Sequence, residues 1–126
     1  MTGSLACMVS VEAFVAAPPP ELAAAVLMYG LGHTVNASGI GAVVETPQVV
    51  RGLAEALGIP QGRGYDAAIA AAPANQVPDA VVEGILFAEQ RLCLVRSWSS
   101  GGTPMVRLLR RGRHALASGD PMLYLR

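Results

Sequence analysis

Apolar and polar residues alternate from Leu5 to Ala16. Val9, Val11, Ala13 and Val15 fall on one side, and Ser10, Glu12 and Phe14, with Met8, on the other. A period of two predicts a first strand. Glu12 in mid-strand needs water or a partner, so its side of the sheet is expected to be exposed. Pro18-Pro19-Pro20-Glu21 then starts a helix, with proline in the first turn and an acid at the positive end of the dipole. Leu22, Val26, Met28 and Tyr29 supply its core contacts, and Gly30 and Gly32 end it. Asn36 to Gly39 is a turn leading into the clearest unit of the chain.

That unit runs from Ile40 to Gly58. Ile40, Ala42, Val43 and Val44 read as a buried strand. Thr46 stands where an N-cap should, and Pro47 fills the first helical position, where its missing N–H costs nothing. Val49, Val50, Leu53 and Leu57 recur at helical spacing, and Gly58 suits a left-handed C-cap. Two strand–helix units in succession predict a right-handed crossover if the strands lie side by side.

Beyond Gly58 the pattern loosens. Ile59 to Tyr65 reads as a loop, and Asp66 to Ala72 as one or two helical turns ended by Pro73. From Ala80 the pattern fits two structures. Val81, Val82, Ile85 and Leu86 share a helix face, but Val82–Phe87 and Leu92–Trp98 also fit a hairpin turning at 88–91. The β-branched and aromatic second run favours the hairpin. Ser99-Ser100-Gly101-Gly102 is a turn signal, Pro104 to Arg110 a strand, Arg111 to Asp120 a basic loop, and Pro121 to Leu125 a last short strand. The expected fold class is therefore α+β: a two-layer sandwich, with an N-terminal β-α-β-α unit followed by a C-terminal antiparallel β-meander. The 126 residues are enough for one domain with a real core, and no linker or repeat divides them.

Composition adds an expectation about assembly. Apolar residues make up 52 % of the chain and charged residues 14 %, against an average near 25 % charged. So little charge on so apolar a chain predicts burial against another copy, a homo-oligomer. No positive n-region precedes an apolar stretch, and no apolar run reaches the roughly 18 residues of a membrane span. A cytoplasmic protein without membrane contact is the expectation. Cys7 and Cys93 lie in apolar runs and read as buried thiols. Two cysteines and two histidines, widely spread, match no zinc spacing, and no pattern points to a cofactor.

Charge is segregated although the total is zero. Residues 1–90 hold eight acids and two arginines, whereas residues 91–126 hold seven arginines and Asp120 alone; lysine is absent. Clustered arginines with a glycine-rich turn suit a small anion such as a phosphate or carboxylate. The first candidate is the turn Ser99, Ser100, Gly101, Gly102 and Thr103, flanked by Arg96 and Arg107. Its backbone N–H groups and hydroxyls would cradle an anion that the guanidinium forks hold. Arg63, between two glycines, is a second anion contact. The run Arg107, Arg110, Arg111, Arg113 with His114 has the charge of a phosphate or nucleic-acid site. Neutral net charge, missing lysine and missing aromatic interleaving argue against nucleic acid.

The competing expectation is a small oligomeric enzyme acting on an anionic metabolite. Glu45, at a strand end beside a helix N-terminus, would be the acid or base, with His33 and Tyr29 as partners. His33 follows the end of the first helix, where the dipole favours its charged form. The sequence pattern places the binding domain first and the enzyme second.

Overall fold

The computed structural model describes residues 10–32 and 43–126. Within them the protein is mixed helix and antiparallel sheet, an α+β fold. The first strand expected from alternation is instead a short helix, α1 (Val11–Val15). The Ser10 hydroxyl accepts the Ala13 N–H at 3.1 Å and so caps it. Helical spacing turns Phe14 fully inward and leaves Glu12 in solvent. The stretch 5–9 lies outside the described residues, as do Cys7, His33 and the expected turn at 36–39. No described strand precedes residue 43, so the β-α-β crossover is not formed among the described residues.

The helix expected after the prolines is present. It begins as α2 (Pro19–Ala25) and widens into a π-helical segment, Val26–Leu31. The organising unit forms from Val43 onward, Ile40 and Ala42 lying outside the described residues, and of its expected buried strand Val44 is buried while Val43 is exposed. β1 (Val43–Glu45) leads directly into α3 (Thr46–Ala56), and Gly58 turns the chain out at φ +81°. Val49, Leu53 and Leu57 are buried as their spacing requires. Thr46 sits one position later than expected, inside the first turn, and no side chain caps the helix. Arg63 lies on a single 3₁₀ turn, Gly62–Gly64, that leads into α4 (Tyr65–Ala70).

The hairpin expected at 82–98 is corrected. Residues 77–90 form one helix, α5 (Val77–Gln90), with Val77, Ala80, Val81, Gly84, Ile85 and Ala88 all buried on one face. Tertiary burial outweighs the weak β preference of its valines. α5 crosses α2 at close range. A Cβ on Gly84 would lie 2.8 Å from the Leu22 carbonyl, and the alanine run of α2 supplies the matching flat surface. The π-helical segment meets α3 in the same way, with a Cβ on Gly52 falling 3.0 Å from the Tyr29 oxygen.

One hairpin remains: β2 (Leu94–Trp98) and β3 (Pro104–Leu108), joined through 99–103. β3 is the central strand, pairing antiparallel with β2 on one side and with β1 on the other. Val44, Leu94, Val106 and Leu108 fall on the inner face and are buried where α3 and α5 cover the sheet. Val43, Glu45, Ser97 and Arg107 fall on the outer face and are exposed. Arg111–Asp120, expected as a loop, is largely helical: α6 (Arg110–Ser118) buries Gly112 and Ala115 and closes on Gly119 at φ +77°. The last expected strand is α7 (Met122–Leu125), with Leu125 fully buried. The C-terminal third is thus a hairpin and two helices rather than a meander. No described helix is long and apolar enough to cross a membrane.

Candidate functional site

The hairpin turn closes on itself. Ser99 gives its N–H to the Thr103 carbonyl at 2.9 Å and receives the Gly102 N–H on its own carbonyl at 2.9 Å. Its hydroxyl takes the Thr103 N–H at 3.0 Å. Three of the N–H groups expected to cradle an anion, those of Ser99, Gly102 and Thr103, are therefore engaged inside the turn, while Ser100 and Gly101 form its exposed tip.

The flanking arginines separate. Arg96 is opposite Val106, and Arg107 is opposite Val95. Residues at odd and even positions of a strand point to opposite faces, so the two guanidiniums leave the sheet on different sides. Arg96 already has an anionic partner. The Glu89 carboxylate accepts the Arg96 backbone N–H at 3.0 Å with one oxygen and its Nε at 2.9 Å with the other. This is the ion pair observed among the described residues. It also caps the free edge of β2, where an open N–H would invite strand addition.

Glu45 is exposed at the end of β1, while Tyr29 is half-buried in the π-helical segment. Neither lines the cavity at α6 or the groove beside Trp98. Arg63 is exposed on its 3₁₀ turn.

What does converge is the basic end of α6. Arg110, Arg111 and His114 line an open cavity of about 550 Å³ with Leu92, Leu109 and Tyr124. Residues 110, 111 and 114 are three and four apart, which sets their side chains on one face of the helix. The Arg111 guanidinium lies over the Tyr124 ring, 5.2 Å from its centre, and Nη2 donates to the Tyr124 carbonyl at 3.0 Å. That fixes its plane and leaves further N–H donors for a ligand. Among the described residues no acid lines the cavity.

The local electrostatics of α6 are unusual for a helix start. Arg110, Arg111 and Arg113 occupy the first turn, no acid accompanies them, and no side chain caps the helix. Positive side chains at the positive end of the dipole repel it, and each such contact costs a few tenths to about 1 kcal/mol. An anion at this end would reverse the sign of all these terms.

Two backbone features hold the cavity in place. Gly112 sits directly on the Cys93 carbonyl, where a Cβ has no room, so α6 is pressed against the start of β2. The Leu109 N–H donates to that carbonyl at 2.9 Å. Across the cavity, Leu92 has φ +62° and is 66 % exposed. A branched side chain in the left-handed region costs roughly 1–2 kcal/mol, and it stands here as an apolar wall.

Cys93 lies beneath, fully buried. Burial pushes its thiol up, with the nearby Arg111 guanidinium drawing it partly back. It is an apolar core residue rather than an exposed nucleophile.

No family model, no curated protein and no solved structure matches this chain.

The arginine run was visible in the sequence, but its convergence was not, because that required residues 110–118 to be helical. Leu92 and Tyr124 had no sequence signal at all. No described cluster of histidine, cysteine and carboxylates could hold a metal ion.

Proposed function

We propose that this protein is a binding domain for a small anionic ligand, a phosphate or carboxylate, held at the first turn of α6 by Arg110, Arg111 and His114. The observation that carries the reading is their convergence on one cavity of about 550 Å³ lined, among the described residues, by no acid. A hydrogen bond to a charged group contributes about 1.5–3 kcal/mol. Two guanidiniums therefore suffice for specific retention of an anion. Leu92, Leu109 and Tyr124 favour an anion carrying an apolar body over a bare inorganic ion.

The same reading takes the chain to self-associate. It is supported by the scarcity of charge and by the exposure of Leu123 and Val43, which no described element covers.

Calorimetric titration with phenyl phosphate and with inorganic phosphate tests the ligand reading. Phenyl phosphate is expected to bind more tightly. Arg110→Gln and Arg111→Gln are each expected to weaken it by about tenfold or more, the equivalent of 1.4 kcal/mol. Binding that is unchanged in both variants sets the reading aside.

A further inference from the structure

The only tryptophan in the chain, Trp98, is 71 % exposed. An indole so far from the core of an otherwise well-buried domain needs a reason. It stands beside a groove of about 410 Å³ between α5 and the far end of the hairpin. Val82, which is 42 % exposed, and Ile85 form the helix side, while Trp98, Pro104 and Met105 form the strand side.

The groove is uncharged in sum. Its ionic groups are Glu89 and Arg96, and they neutralise each other at 2.9 Å. The pair leaves the groove with no net charge to draw in an anion or a cation, and a neutral ligand leaves the pair intact. The Thr46 hydroxyl is a further polar group of the lining and can orient a single ligand dipole.

The wall chemistry selects shape. An indole offers a flat face for offset stacking with an aromatic ring. Pockets of about 300–1,000 Å³ are the usual range for small organic ligands, so this one suits about two fused or linked rings. The capped edge of β2 disfavours strand addition by a protein partner at the same place.

We propose that the groove between α5 and the hairpin is a second binding site, for an uncharged aromatic small molecule. It is independent of the anion site at α6, with which it shares no lining residue.

The probe is N-phenyl-1-naphthylamine, a neutral aromatic amine that brightens in apolar surroundings. Titrated into the protein, it should bind saturably at one site and quench Trp98 in parallel. Val82→Glu places a charge on the wall at an exposed helical position and should weaken binding by at least about tenfold, with phenyl phosphate failing to compete. Thr46→Glu provides the same test if Val82→Glu loses its helical circular dichroism. Absence of saturation, or a Trp98 signal that does not follow the probe, overturns the proposal. So does affinity unchanged in a folded charged variant. A Trp98 emission that shifts with protein concentration alone would assign the groove to a second copy and equally overturn it.

Discussion

The contact between α2 and α5 is the most extensive helix pairing in the fold, and Gly84 makes it possible. Gly84→Ala adds one Cβ. It would lie 2.8 Å from both the carbonyl carbon and the oxygen of Leu22, and 2.9 Å from a Val26 methyl, against ordinary contacts of 3.4–4 Å. The obstacle is backbone, which cannot rotate away, so the helices must separate by some 0.6 Å, the difference between 3.4 and 2.8 Å. Overpacking of this kind costs about 1–3 kcal/mol. Alanine recovers about 1 kcal/mol of that through helix propensity. The net expectation is a loss of about 2 kcal/mol, from the upper end of the overpacking range. Gly32→Ala is the matched control: it is also in helical conformation, but its Cβ meets its nearest neighbour at an ordinary 3.6 Å. There the propensity gain should show as roughly 0.5–1 kcal/mol of stabilisation. Urea denaturation of the two variants reads the difference, with the slope of the transition unchanged. If Gly84→Ala is as stable as Gly32→Ala, the close approach of α2 and α5 is refuted.

Four other outcomes follow from the same geometry. Leu92→Gly removes a left-handed leucine, so denaturation should show a gain of about 1 kcal/mol, while phenyl phosphate binding weakens through loss of the apolar wall. The raised Cys93 thiol keeps its proton after the unfolded chain has released its own. Folding stability should therefore decline as pH rises past the ordinary value of 9.0, with a slope of at most about 1.4 kcal/mol per pH unit that Cys93→Ala abolishes. Glu89→Lys breaks a half-exposed pair worth about 0.5–1 kcal/mol and uncaps the edge of β2, so light scattering should show more aggregation than in the parent protein. The scarcity of charge predicts a sedimentation mass at least twice the 13.0 kDa of one chain, and a monomer at high concentration would remove the assembly reading.

The sequence was most legible where several local signals agreed. Pro47, the spacing of Val49, Leu53 and Leu57, and Gly58 all specify α3, and the structure follows them within a residue. The glycine-serine turn likewise places the hairpin between Trp98 and Pro104. Errors arose where a short pattern fits two periods. Val9 to Val15 alternates, yet Ser10 and Phe14 serve a five-residue helix equally well. At 82–98 the β-branched and aromatic second run favours a hairpin, but six buried positions on one face of the helix Val77–Gln90 decide otherwise. α6 was hidden because four arginine or histidine side chains outnumber its apolar contacts, and its buried face is mostly glycine and alanine.

The candidate site shows the same limit. Arginine clustering is a property of composition, and it is plain in residues 91–126. Which arginines share a cavity depends on backbone geometry. Strand alternation sends Arg96 and Arg107 to opposite faces, while helical spacing gathers Arg110, Arg111 and His114. Glu89 is seven residues from Arg96, and only the turn after α5 brings its carboxylate onto the strand edge.

The most direct test of the account is a calorimetric titration of phenyl phosphate into the parent protein, Arg110→Gln, Arg111→Gln and Arg107→Gln. The cavity at the first turn of α6 predicts saturable binding that falls by about tenfold or more in the first two variants and is retained in the third. Equal weakening in all three would reduce the effect to net charge and contradict a built anion site.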